Sequence, residues 1–170
     1  EAGEIAVAKL TEEVPRGKVV KLINALKGAD WVEKFILQQE KYSFLERTRL
    51  LELRPDAQIE MTVLGQYDII EKHISVHRWF LGEKRKAEVS FQDAVISWYD
   101  NVYHPLICLI REQNIMAQFP GRTETDLYLW ILEKQSDIMS EYHLEVTIEE
   151  AARALTETLK PDSGEGHAQT

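Results

Sequence analysis

Two histidines, His73 and His77, lie four residues apart near the middle of the chain. On a helix this spacing places both imidazoles on one face, where they could ligate a divalent metal together with Glu71, Glu83 or a remote carboxylate. No glutamate follows the first histidine, as it does in metalloprotease helices, and there is no second clear pair of ligands. The pair is more typical of histidines that form hydrogen bonds beside an apolar stripe. A pH-sensitive or partner-binding role is a third interpretation.

The basic residues that could bind an anion or a nucleic acid form one cluster and one separate position. The cluster stands at the end of the helix expected over residues 66–84 and consists of Arg78, Lys84, Arg85 and Lys86. Arg122 lies in a Pro-Gly turn, where it could bind an anion or form a salt bridge that fixes the turn. A helix C-terminus favours cations without any ligand, and no recognition helix accompanies the cluster. A solvated helix end is therefore favoured, with nucleic-acid binding as the alternative.

The charge is distributed unevenly along the chain. The 170 residues include 29 acidic and 20 basic ones, a net charge of −9. Residues 121–170 hold 11 of the acidic and 4 of the basic residues, a net −7, which leaves −2 for residues 1–120. General binding to phosphate backbones depends on clustered lysine and arginine, so the acidic balance argues against it. The nearly neutral front part still allows a local basic face.

Other residue types associated with catalysis lack the context that catalysis requires. No serine stands in a nucleophile-elbow sequence, no glycine-rich phosphate loop occurs, and the single Cys108 lies in an apolar segment. Aromatic residues at helical spacing are typical of core or oligomer packing, and the interface candidates are Trp79, Trp98, Tyr103 and Trp130. The sequence predicts a non-enzymatic protein without a cofactor, apart from the metal that His73 and His77 could bind.

Composition and length are typical of one soluble globular domain, with 44% hydrophobic and 29% charged residues. No run of about 18 apolar residues occurs, so a membrane-spanning helix is excluded and no membrane partner is expected. One cysteine cannot form an internal disulfide, which favours a reducing cytoplasmic location. The chain begins at Glu1 without a signal-peptide pattern, and we expect it to be a piece of a longer protein.

Hydrophobic periodicity and capping residues predict a mainly α fold of about seven helices in one domain over residues 1–160. Residues 1–54 hold the N-terminal helices, residues 66–103 a first helical hairpin and residues 123–160 a second, before a disordered tail over residues 161–170.

Two local patterns in the first half need their own interpretation. Ser43 and Glu46 match a capping box, which predicts that one helix covers residues 31–40 and another starts near residue 43. Residues 58–63 alternate polar and apolar side chains, as a half-buried strand does. Because a lone strand cannot pair, these residues form an extended segment or half of a two-stranded element, with at most a short strand near residues 59–63.

The two predicted hairpins resemble each other in sequence. Residues 81–94 match residues 139–151 when a one-residue gap is allowed, which pairs Glu83 with Glu141. In both segments a long helix ends, a polar turn follows, and a serine or threonine caps the next helix. Each hairpin buries one apolar stripe, and two stacked hairpins enclose a core that neither closes alone.

Several segments resemble known protein groups. Residues 77–83 (HRWFLGE) and 93–105 (DAVISWYDNVYHP) resemble the closing helical region of a bacterial family of unknown function, where this region follows a domain similar to lipopolysaccharide kinases. In the second hairpin, Gln135, Ser136 and Asp137 stand where that family has histidine, arginine and tryptophan. The run over residues 31–152 also resembles short stand-alone prokaryotic proteins that are sometimes labelled transcriptional regulators, which share residues 119–124 and 126–130.

The resemblance implies a helical, regulatory protein without the chemistry of the kinase-like part. We expect a non-enzymatic cytoplasmic regulatory or interaction module that associates with itself or with a protein partner. The alternative is a transcription-associated nucleic-acid binder that uses the basic residues, and a weaker alternative is a metal-dependent protein centred on His73 and His77.

Overall fold

A computed structural model describes residues 30–143 and 145–157. These residues are mainly α-helical, and no strand occurs among them. The elements are α1 (Asp30–Thr48), α2 (Leu50–Leu53), α3 (Gln66–Arg85), α4 (Phe91–Trp98), a π-helical turn (Tyr99–Tyr103), α5 (His104–Glu112), a 3-10 turn (Ile115–Gln118), α6 (Glu124–Tyr142) and α7 (Ile148–Glu157). The predicted mainly α fold of about seven helices is confirmed.

The described residues fall into two units with a boundary after Gln39, and both hairpins belong to the unit that begins at Glu40. The helices predicted within the first 29 residues, the end of the last helix near residue 160 and the predicted tail over residues 161–170 lie outside the described residues. A single domain over residues 1–160 therefore stays a prediction.

One helix, α1, takes the place of the break predicted near residue 43. Ser43 lies inside α1, where its hydroxyl accepts a hydrogen bond from Arg47 one turn later. α1 ends at Thr48 because Arg49 adopts the left-handed conformation, with φ of 54°. The capping-box prediction is wrong here because serine and glutamate three residues apart are also tolerated inside a helix, at a small cost in helix propensity.

The alternating segment, residues 58–63, packs like a strand in its first part but pairs with side chains. Ile59 and Met61 are buried while Gln58 and Glu60 are exposed, so the alternation predicted the two faces correctly over residues 58–61, whereas Thr62 and Val63 are both partly buried. Two backbone amides donate to side chains: the Glu60 amide to Thr125 Oγ1 at 3.3 Å and the Thr62 amide to Asp126 Oδ1 at 3.0 Å. Two backbone carbonyls accept from hydroxyls: the Gln58 carbonyl from Tyr103 at 2.9 Å and the Glu60 carbonyl from Thr123 at 2.6 Å. Side chains at the start of α6, together with Tyr103 of the π-helical turn, thus replace a partner strand, and the two-stranded interpretation is wrong.

The first hairpin consists of α3 and α4. α3 ends because Lys86 adopts the left-handed conformation, with φ of 52°. The Ser90 hydroxyl caps α4 by accepting from the Asp93 amide at 3.0 Å, as its capping pattern predicted. Between these two points, Arg78 Nε donates to the Val89 carbonyl at 2.6 Å, which ties the turn back to α3.

The second hairpin consists of α6 and α7 and has the same parts. α6 ends after Tyr142 because His143 adopts the left-handed conformation, with φ of 53°. Thr147 and Glu150 form the predicted capping pattern, in which the Glu150 amide donates to the Thr147 hydroxyl at 3.2 Å. Gln135 Nε2 donates to the Val146 carbonyl at 2.6 Å and so ties this turn to α6.

Corresponding positions of the two hairpins are related without a gap. The same 57 residues separate Lys86 from His143, Ser90 from Thr147 and Arg78 from Gln135. This offset also relates four pairs of fully buried residues, which are Ile70 and Leu127, Ile74 and Ile131, Ala94 and Ala151, and Val95 and Ala152. The one-residue gap is therefore wrong before the turn, and Gln135 corresponds to Arg78 rather than to His77.

Aromatic residues fill the core of the second unit. The Trp98 indole donates to the Tyr128 hydroxyl at 3.0 Å, and the Tyr103 ring lies 5.1 Å from the Trp98 ring and 5.0 Å from the Tyr128 ring. These residues come from α4, the π-helical turn and α6, so the cluster joins one hairpin to the other. Burial raises the pKa of Tyr128 to about 12, so its hydroxyl stays protonated and keeps its hydrogen-bonding role near neutral pH.

Candidate functional site

α3 carries three large apolar side chains in solvent. Val76, Trp79 and Phe80 are 54%, 61% and 58% exposed, and we name them the exposed apolar face. Their spacing of three and four residues places them on one side of the helix. The Trp79 and Phe80 rings also contact each other edge to face, at a centroid distance of 4.9 Å.

The second hairpin shows that the fold does not require apolar residues at these positions. At the offset of 57, Val76, Trp79 and Phe80 correspond to Glu133, Ser136 and Asp137, all of them exposed. Trp79 is one of the interface candidates predicted from the sequence, whereas Val76 and Phe80 are not. The signal that finds all three is the ungapped comparison of the hairpins, because only the first hairpin is apolar there.

An apolar groove of about 260 Å³, the interhelical groove, lies beside this face. Val76 and Phe80 line it from α3, and the buried Trp98 and Tyr128 line it from α4 and α6. The other lining residues are His73, His77, Val102 and Leu132. The groove and the exposed apolar face together form one continuous apolar surface, because Val76 and Phe80 belong to both.

The two histidines lie in the wall of this groove. The His73 Nδ1 atom is 3.5 Å from the Tyr128 hydroxyl, and the His77 Nε2 atom is 3.0 Å from the Ser97 hydroxyl. Burial lowers the pKa of both imidazoles, which favours their neutral forms. Within residues 30–143 and 145–157, no three His, Cys, Asp or Glu side chains are grouped to hold a metal ion. Metal binding by His73 and His77 stays a prediction.

A second depression, the Gly82 notch, opens between α3 and the turn that follows it. It has a volume of about 550 Å³, and its lining includes Arg78, Trp79, Gly82, Lys86 and Val89. A Cβ atom at Gly82 would lie 3.4 Å from the Ala87 carbonyl oxygen, so a side chain fits here in van der Waals contact. The second hairpin has such a side chain, because Met139 stands 57 residues after Gly82.

The structure separates the four residues of the basic cluster by role. Arg78 fixes the turn through Val89, and its Nη2 atom lies 4.0 Å from Glu88. Lys86 Nζ lies 3.7 Å from Glu83, at the exposed end of the hairpin. Lys84 and Arg85 are exposed beside it. Arg78 and Lys86 line the Gly82 notch together with their partners Glu88 and Glu83, whereas Lys84 and Arg85 are not part of its lining.

Arg122 lies in a different environment, at the start of α6. Its Nη1 atom donates to the Thr62 hydroxyl at 2.9 Å, and its guanidinium lies 5.2 Å from the centre of the Trp130 ring. The Trp130 ring in turn contacts Phe119, at a centroid distance of 5.7 Å. Arg122 thus connects the alternating segment to α6, which is an observed structural role, and anion binding there stays a prediction.

The four interface candidates divide between surface and core. Trp79 is exposed and Trp130 is partly buried. Trp98 and Tyr103 are only 1% and 2% exposed, so these two residues pack in the core. Cys108 is partly buried and carries a free thiol.

Comparison with known proteins finds no matching family model, no matching curated protein and no matching solved structure. The resemblances named from the sequence therefore stay predictions. No helix among the described residues is long and apolar enough to cross a bilayer.

Proposed function

We propose that the chain is a non-enzymatic cytoplasmic module that associates with itself through the exposed apolar face of α3. One observation carries the proposal: three neighbouring positions are apolar and exposed in the first hairpin and polar in the second. Large contiguous apolar patches are uncommon on monomeric proteins and mark interaction sites. The free Cys108 supports the cytoplasmic location, and the resemblance to proteins labelled as regulators supports a regulatory role.

The exposed apolar face has a limited energetic capacity. Full burial of one large apolar side chain stabilises by about 1.5–3 kcal/mol, so three that are already nearly half buried contribute about 3–5 kcal/mol per copy. A dissociation constant of 1 μM requires about 8 kcal/mol, and association also costs entropy. The face therefore supports weak association alone and tighter association only with additional contacts.

The experiment replaces the face with the residues of the other hairpin. The double variant Trp79→Ser/Phe80→Asp carries the side chains of Ser136 and Asp137, which α6 tolerates at the same positions. The matched control is Tyr42→Ser, which removes an aromatic side chain that is 70% exposed and does not line the groove.

Light scattering should show a mass that rises with concentration for the natural chain and the control, and the mass of a monomer for the double variant. Circular dichroism should show that all three proteins are folded. A monomer at every concentration for the natural chain, or unchanged association of the double variant, would contradict the proposal.

A further inference from the structure

We infer that the basic end of the first hairpin binds the acidic end of the second hairpin of another copy. This inference rests on the proposed self-association and specifies which two surfaces meet. It also provides the additional contacts that the exposed apolar face needs.

Charge is the first observation that supports this contact. Residues 76–90 carry four basic and two acidic residues, a net +2. The corresponding residues 133–147 carry one basic and four acidic residues, a net −3. Two structurally equivalent surfaces of one molecule thus have opposite charges. The basic end of one copy therefore attracts the acidic end of another copy. Two basic ends or two acidic ends repel each other, which favours this one pairing of surfaces.

The acidic charges form a row along α6. Glu133, Asp137 and Glu141 follow each other at intervals of four residues and are all exposed. Side chains at this spacing lie on the same helix face. In the other copy, the basic end of the first hairpin carries Lys84, Arg85 and Lys86 at the end of α3.

Apolar side chains accompany the charges on both surfaces. On the second hairpin, Met139 and Tyr142 are 41% and 59% exposed. On the first hairpin, Trp79 borders the Gly82 notch, whose lining also includes the ion pairs Arg78–Glu88 and Lys86–Glu83. Each surface therefore combines an apolar centre with a charged rim, which is the usual arrangement of a protein–protein interface.

The notch also has the size for a side chain of the partner copy. In the second hairpin Met139 occupies the position of Gly82, so a side chain stands there where the first hairpin has none. The occupant we infer is an apolar side chain at the acidic end of α6, from a second copy of this chain.

The decisive experiment mixes two charge-reversed variants. The first is Lys84→Glu/Arg85→Glu, and the second is Asp137→Lys/Glu141→Lys. Each variant alone presents two ends of like charge, so its dissociation constant should rise at least about tenfold above that of the natural chain. In an equimolar mixture every contact again joins opposite charges, and light scattering should show association restored. All four positions are exposed, so circular dichroism should report folded proteins.

A second experiment tests the notch. Gly82→Met places in the notch the side chain found in the second hairpin, which obstructs the partner's side chain, and should weaken association at least about tenfold. The control Gly82→Ala adds one methyl group and should leave the dissociation constant within about twofold of the natural value.

The outcomes separate this inference from the proposed function. A natural chain that stays monomeric overturns both. A natural chain that associates, together with charge-reversed variants that associate equally well, overturns only the inferred contact. Duplex DNA that binds the natural chain and not Lys84→Glu/Arg85→Glu, with unchanged self-association, overturns the contact in favour of nucleic-acid binding.

Discussion

Asp126 is the buried carboxylate that joins the alternating segment to the second hairpin, and replacing it with asparagine should strongly destabilise the protein. It is only 2% exposed. Oδ1 accepts from the Thr62 amide at 3.0 Å, and Oδ2 accepts from the Thr62 hydroxyl at 2.7 Å and from the Thr123 amide at 2.9 Å. One side chain thus completes the cap of α6 and satisfies two donors of a residue 64 positions earlier.

The expected loss follows from which of these three bonds asparagine can keep. Its carbonyl oxygen can replace Oδ1, but its amide nitrogen then faces the two donors that Oδ2 accepted. The Thr62 hydroxyl can rotate and accept instead, whereas the Thr123 amide, which is partly buried, cannot and loses its partner. A lost hydrogen bond to a charged group costs about 1.5–3 kcal/mol, and the unpaired donor adds to this. We expect Asp126→Asn to lower the free energy of unfolding by about 2–4 kcal/mol.

The control is Glu150→Gln, at the capping glutamate of the second hairpin. The Glu150 carboxylate accepts from the Thr147 amide at 2.8 Å and is exposed. Urea unfolding followed by circular dichroism compares the two variants with the natural chain. Glu150→Gln should cost much less than Asp126→Asn. Equal losses would refute the reasoning, because Asp126 would then act as an ordinary helix cap.

Two further predictions concern pH and the end of the first hairpin. Because burial lowers the pKa of His73 below its usual 6.5, the unfolded chain binds a proton more readily than the folded one. The free energy of unfolding should therefore fall as the pH is lowered from about 7.5 to about 5.5, and it should fall less in the variant His73→Gln. Urea titrations at several pH values measure this, and an equal dependence on pH in the natural chain and the variant would contradict the prediction. Lys86 has φ of 52°, so Lys86→Gly should raise the free energy of unfolding by about 1 kcal/mol and also weaken self-association through loss of the charge. A variant that is not stabilised, or that associates more tightly, would show that this account of Lys86 is wrong.

Local signals in the sequence were sufficient to predict the caps of two helices. Ser90 and Thr147 cap helices because their hydroxyls bond backbone amides three residues away, an interaction that depends only on neighbouring residues. The period of the apolar residues likewise placed α3 within one residue of its observed end. The break predicted near Ser43 failed because the same residue pattern is compatible with a helix interior, and tertiary structure decides between the two.

Long-range interactions could not be predicted in the same way. Nothing near residues 57–62 indicates that Thr125, Asp126 and Tyr103 complete their hydrogen bonds, because these partners lie 45 or more residues further along the chain. The candidate surface was only partly predictable for a different reason. An apolar face has the same helical period whether it is buried or exposed, so periodicity did not distinguish Trp79 in solvent from Trp98 in the core.

The ungapped match of the two hairpins makes the chain its own reference in experiments. Where residues 57 positions apart share a role, as Arg78 and Gln135 do, the backbone sets the requirement and either residue type meets it. Where two residues 57 positions apart are equally exposed but differ in polarity, the fold accepts both residue types. The residue type at such a position can then serve binding rather than stability. Residues can therefore be transplanted from one hairpin to the other in order to remove a function from this protein. Each transplanted residue type already occurs at the corresponding backbone position of the other hairpin.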